Sequence, residues 1–108
     1  MALNDTFHVT GNEIADTNSV TADGSSGETG AAEIVELGGT GDANVYRETD
    51  VNGDGTFEVS VKIDSFAGEW HSQLNQLVVS ASNNHRLRIE NTSGASQDYY
   101  MTGLEVDD

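Results

Sequence analysis

Between positions 50 and 58 the chain reads DVNGDGTFE, a stretch whose residue types and spacing could do chemistry. Calcium takes about six to eight hard oxygens, which an EF-hand loop supplies at alternate positions before a bidentate acid at the twelfth. Counted from Asp50, Asn52 and Asp54 fall at the third and fifth positions, Gly55 at the sixth and Glu58 at the ninth. The twelfth is Val61, in a stretch that reads as a strand, so a complete EF-hand is excluded. A shorter loop remains open, in which Asp50, Asn52, Asp54, the Thr56 carbonyl and Glu58 hold calcium or another structural cation. The same residues also read as a hairpin connection, because Asn-Gly and Asp-Gly supply positive φ and Asp or Asn side chains bond to the backbone just ahead. A cation here would stabilise the loop and not take part in a reaction, and no cofactor is required.

Nothing else in the chain has the spacing of a reactive centre. His8, His71 and His85 are scattered and have no ligand or nucleophile partner at diagnostic distance. No G-x-S-x-G elbow or H-E-x-x-H pair occurs, and the glycine-rich GGTGD at 38–42 lacks the lysine of a phosphate loop. An enzyme is not expected. Trp70 reads three ways: a platform for sugar rings, an anchor between subunits, or a plug at one end of the core. With Tyr99 and Tyr100 it frames a rival reading, a cation-assisted module that binds host glycan. Asn4-Asp5-Thr6 and Asn91-Thr92-Ser93 match the glycosylation sequon.

The elements that must position these residues are strands. From Thr56 to Asp64 every second residue is apolar, with Phe57, Val59, Val61 and Ile63 expected inward. HRLRIEN repeats the alternation with Leu87 and Ile89 inward and Arg86, Arg88 and Glu90 outward. QLVVSAS, AAEIVELG, NVYRETD and TFHVT supply further strands, and YYMTGLEV places Tyr100, Leu104 and Val106 on one parity. Turn-forming loops separate them at 16–30, 38–42, 51–55, 82–84 and 91–97. The expected fold is all-β, an antiparallel β-sandwich, jelly-roll-like, with seven or eight strands. One helical turn is expected within 65–76, where Trp70 and Leu74 stand four apart. Residues 1–30 read as an N-terminal arm and loop-rich segment, with Leu3, Phe7 and Val9 as its sparse anchors. Residues 31–108 read as the sandwich, the whole most simply one domain.

Charge narrows the partners. Nineteen Asp and Glu stand against four Lys and Arg, a formal net of −15. Phosphate backbones and anionic membranes would be repelled, so neither nucleic acid nor a membrane is expected as a partner. The composition resembles that of proteins from salt-loving archaea, in which carboxylates keep the surface hydrated in molar salt. No cysteine is present, so disulfides and thiolate sites do not arise. MALNDTFHVTGNE has neither the basic nor the apolar region of an export leader, and no apolar run approaches a membrane span. Apolar residues are 35% of the chain, a thin supply for a core, so burial against further copies would add stability at about 25 cal/mol per Å².

ANVYRETDVNGDGTFEVSVKID followed by HRLRIENTSGASQDYYMTGLEV, within residues 43–106, resembles small β-sandwich virion proteins of tailed viruses that infect haloarchaea. The likeness lies in acidic composition, strand-turn rhythm, the ENTSG turn and the terminal GLEV strand. It implies a structural virion protein: a capsid decoration, turret or cement subunit. Its partners would be other copies of itself and a larger capsid or tail protein. Its place would be the virion, assembled in the host cytoplasm at high salt. The resemblance carries no catalytic residue.

Overall fold

The computed structural model describes residues 2–24, 30–79 and 84–107, the side chains of 2–5, 7, 106 and 107 excepted. The strands are β1 (Ala2–Ile14), β2 (Ser19–Asp23), β3 (Ala31–Gly39), β4 (Ala43–Asp50), β5 (Val59–Phe66), β6 (Trp70–Ser72), β7 (Gln76–Val79), β8 (Asn84–Asn91) and β9 (Gln97–Asp107). They form two antiparallel sheets, β1-β9-β3-β6 with β7 also on β3, and β2-β8-β4-β5. The pairing is nested: β1 takes β9, β2 takes β8, β3 takes β7 and β6, and β4 takes β5. One long antiparallel hairpin has thus been bent over to make two faces, which is a jelly roll. Nine strands appear because the one opposite β3 is interrupted at residues 73–75, giving β6 and β7.

Between the sheets lies one core, with Ile34, Leu37, Val45, Leu87, Ile89 and Met101 fully enclosed. Alternation explains most of it. In β8 the expected pair, Leu87 and Ile89, points inward, while Arg86, Arg88 and Glu90 line the opposite face.

The N-terminal segment is not an arm. β1 runs antiparallel to β9 from Ala2 opposite Asp107 to Ile14 opposite Gln97, and β2 delivers Val20 and Ala22 to the core. The apolar content of residues 16–24 is low, but two alternating apolar side chains suffice when β8 offers a ladder of backbone groups to pair with. Residues 25–29 of the expected loop at 16–30, and residues 82–83 of the one at 82–84, lie outside the described residues. Val9 packs on the core from β1. Leu3 and Phe7 pair through the backbone with Val106 and Gly103, and their side chains lie outside the described residues.

Two other expectations are corrected, and the shared parity of Tyr100 and Leu104 is assigned to a face. No α-helix occurs among the described residues; 65–76 holds the end of β5, a turn, β6, a short loop and the first residue of β7. Pairing Trp70–Ser72 with Leu37–Gly39 satisfies backbone groups that one isolated helical turn would leave open. In β9 the inward parity is Tyr99, Met101 and Glu105, so Tyr100 and Leu104 lie on the outer face. Both parities of YYMTGLEV carry apolar residues, and β3 presents a glycine to each tyrosine, Gly39 to Tyr99 and Gly38 to Tyr100; it is the Tyr99 hydroxyl that finds a partner on the inner side, in the Asp42 carbonyl. That parity also turns Glu105 inward, where its Oε2 is buried without a hydrogen-bond partner among the described residues. In β5, Val59 and Val61 are on the inner parity yet 44% and 54% exposed. The opposing sheet ends in the short β6 and β7 and does not reach over them.

Candidate functional site

The DVNGDG stretch joins β4 to β5, and its geometry follows from one carboxylate. Asp50, the last residue of β4, is fully buried. Its Oδ1 accepts the N–H groups of Gly53 at 2.9 Å and Asp54 at 3.2 Å, and its Oδ2 accepts that of Gly55 at 2.7 Å. Gly53 and Gly55 adopt φ of 70° and 91°, which only glycine takes without strain. Burial pushes the Asp50 pKa up, but the bonds from Gly55, Asp54 and Gly53 outweigh it and hold the carboxyl below its ordinary value. Two further acids fasten the loop: Asp54 Oδ1 accepts the Thr56 N–H at 3.0 Å, and Glu58 Oε1 accepts the Val51 N–H at 2.9 Å.

The hairpin role is therefore occupied in full. The cation role fits the same atoms. One oxygen each from Asp50, Asp54 and Glu58 lie within 4.8 Å of one another, a spacing that ligands at about 2.3–2.6 Å from a shared ion can adopt. A carboxylate has about four acceptor positions, and three on Asp50 are engaged, so Oδ2 keeps one for an ion. Asn52 and Thr56 are exposed in the same loop. A cation bound here would close the hairpin and screen three adjacent carboxylates.

A second polar cluster, on the outer face of the β2-β8-β4-β5 sheet, was not legible as a unit in the sequence. Glu48 is almost fully buried there; Arg86 Nε donates to its Oε1 at 2.7 Å and Arg88 Nε to its Oε2 at 3.1 Å. Ser60 Oγ adds a third bond at 2.7 Å. Arg86 lies over the Phe57 ring at 3.8 Å and Arg88 over Tyr46 at 4.3 Å. Burial alone would raise the Glu48 pKa, but Ser60, Arg86 and Arg88 bring it below the ordinary carboxylate value. The outward alternation of Arg86 and Arg88 was visible, whereas their shared acid on β4 depends on the register that sets Glu48 opposite Arg86.

The aromatic candidates separate. Trp70 is buried, 9% exposed, stacked on Phe66 with centroids 4.0 Å apart, and its Nε1 donates to the Gly41 carbonyl at 2.9 Å. Of its three readings the core plug is the one the fold realises. Tyr99 is likewise buried, its hydroxyl donating to the Asp42 carbonyl at 2.9 Å. Tyr100 stays on the outer face, near His8 and bonded to Glu36 at 3.0 Å. Neither Trp70 nor Tyr99 can act as a sugar platform, and Tyr100 lies in the other sheet from the acidic loop. The Asn91 sequon is unusable in this fold: the side chain is buried and its Nδ2 donates to the carbonyls of Ile14 and Ala95.

No family model matches the chain. It is 36% identical over 102 residues to Gp30 of Haloferax tailed virus 1, an alignment that covers 93% of this chain and 88% of that protein. The chain belongs to the Gp30 family. Membership ties it to a tailed virus of haloarchaea, as the resemblance implied at the level of virus type. Two solved structures share the fold of this Gp30-family chain. One is the Drosophila NLP core, described for its pentamer formation and histone binding: TM-score 0.54, 13% identity, 94% of this chain and 97% of that one. The other is the Yersinia pseudotuberculosis-derived mitogen: TM-score 0.55, 19% identity, 99% of this chain and 90% of that one. At these identities the likeness is one of fold.

Proposed function

We propose that this Gp30-family chain is a structural virion protein of a haloarchaeal virus, a decoration, turret or cement subunit that works as a homo-oligomer on a larger shell. The observation that carries the reading is the 36% identity to a tailed-virus protein along nearly the whole chain. The chemistry agrees with it. The charged groups that the fold gathers, Glu48 with Arg86 and Arg88, and Asp50 with the turn amides, fasten strands and turns. A net charge of −15 suits a surface that must stay hydrated in concentrated salt, where the Debye length at about 1 M is only ~3 Å. The NLP core, of like fold, is described as forming pentamers, so this architecture is compatible with closed assembly of copies.

The experiment is microscopy of purified particles combined with mass spectrometry of their proteins. The chain should be a stoichiometric particle component with density on the outside of the capsid or tail shell. Its absence from washed particles would overturn the reading.

A further inference from the structure

Arg47 takes an inward position on β4, two residues after the core residue Val45 and opposite the core residue Leu87 on β8. Its side chain thus enters the open end of the sandwich, where β6 and β7 do not reach over β5. Across that space Gln76, on the inward parity of β7, accepts a bond from Arg47 Nη1 at 3.5 Å, the long limit of such a contact. Arg86 and Arg88 share Glu48, but Arg47 forms no ion pair among the described residues, in a chain with nineteen acids. A guanidinium has five N–H donors, so one weak bond leaves most of them open. They are reachable from outside, since no nitrogen of Arg47 is both buried and without a partner. Burial still holds the Arg47 pKa below its ordinary value, which marks a cation partly stripped of water with no acid in return.

Thr49 and His85 continue the same inner face, opposite one another. Thr49 Oγ1 and His85 Nδ1 share a hydrogen bond of 3.0 Å, and when the hydroxyl donates, the ring carries its proton on Nε2 and has a second donor to offer. Burial first, and then the charge of Arg47, hold the His85 pKa below its ordinary value, so the ring is neutral at pH 7. Among the described residues Arg47 is the charged group whose field reaches His85. Val61 and Val59, opposite Arg47 and Thr49, stand beside these polar groups as half-exposed apolar walls. One positive charge with neutral donors and apolar walls matches a single monovalent anion. A guanidinium is weakly hydrated, so it pairs better with chloride, which gives up water readily, than with fluoride, which holds it. Chloride is abundant in the concentrated salt that a net charge of −15 suits.

We propose that Arg47, with Thr49 and His85 beside it, forms a binding site for one chloride ion at the open end of the sandwich. The ion takes the place of the carboxylate that Arg47 lacks and allows an arginine to stand on the core-facing side of β4. The site is independent of the virion role and of any contact between copies.

Nuclear magnetic resonance tests this in potassium chloride and potassium fluoride of equal molar strength. A chloride ion beside the imidazole favours its charged form, so His85 should titrate about half a unit higher in chloride than in fluoride. Arg47→Met, which keeps an apolar stem at the site, should abolish that difference. Chloride-35 line width gives a reading that does not pass through histidine: the native chain should broaden the signal more than Arg47→Met does. Arg47→Gln repeats both comparisons with a neutral polar side chain, and circular dichroism verifies that each variant is folded. If the salt difference or the excess broadening persists unchanged in both variants, chloride binds elsewhere and the assignment to Arg47 is wrong. If His85 titrates alike in the two salts and Arg47→Met instead disperses oligomers of the native chain, the guanidinium serves a carboxylate of a neighbouring copy, and the chloride site is overturned.

Discussion

Glu48 on β4 lies directly opposite Arg86 on β8, with Nε to Oε1 at 2.7 Å, and the carboxylate is nearly closed off from solvent. A charge so placed is favourable only while Arg86, Arg88 and Ser60 all hold it. Glu48→Gln leaves the Arg86 and Arg88 side chains without their shared anion and should cost about 1–3 kcal/mol. Chemical denaturation in molar salt measures this. The loss should persist there, since a desolvated pair is screened far less than surface charges.

Acid should unfold the chain before base does. Glu48 and Asp50 have pKa values lowered in the fold, so their stabilisation is complete above the ordinary carboxylate pKa and disappears as pH falls through the folded values. His85, lowered by burial and by Arg47, acts in the same direction, because the unfolded chain takes up its proton first as pH drops below the ordinary histidine value. Tyr99 and Tyr100 are raised, chiefly by burial, and their contribution is lost only as pH climbs past the ordinary tyrosine value. Melting temperature should therefore decline in two acid stages, histidine then carboxylate, and Glu48→Gln should flatten the second.

Gly39→Ala and Gly55→Ala should differ in kind. A Cβ at Gly39 would collide with the Tyr99 ring that fills the space opposite it, and the cost should be about 1–3 kcal/mol from overpacking. At Gly55 nothing lies within 4 Å, and the only cost is the positive φ of 91°, about 1 kcal/mol. Thermal melts of the pair, with Tyr99→Leu added to rescue Gly39→Ala and not Gly55→Ala, check the assignment.

Asp50 and Asp54 should respond differently to calcium. Asp50 ties down three turn amides whatever is bound, so Asp50→Asn should lower the melting temperature even in excess chelator. Asp54 makes one such bond within the loop, to Thr56, and its substitution by Asn should chiefly reduce the rise in melting temperature on adding calcium. Melts with calcium and with chelator, on both variants, read this out.

Lowering salt from molar to millimolar should destabilise the fold steadily. With a net charge of −15, self-repulsion grows as the Debye length lengthens from ~3 Å at 1 M to ~30 Å at 0.01 M. Unfolding followed by circular dichroism across potassium chloride concentrations should show the midpoint falling with dilution.

The sequence by itself determined what depends on neighbours along the chain. The two-residue period of HRLRIEN set Leu87 and Ile89 inward, and DVNGDG with its glycines set a tight connection closed by Asp50. Charge alone argued for concentrated salt. Only the tertiary structure decided matters that depend on what lies opposite. β3 presents a glycine to both Tyr99 and Tyr100, and Tyr99 is the one inside because its hydroxyl reaches the Asp42 carbonyl. Val59 and Val61 alternate as buried residues do, yet they stay exposed because β6 and β7 are too short to cover them. The low-apolar stretch at 16–24 became a core strand because β8 needed a partner for its edge. Periodicity reports which side chains share a face; whether anything covers that face is a property of the other sheet.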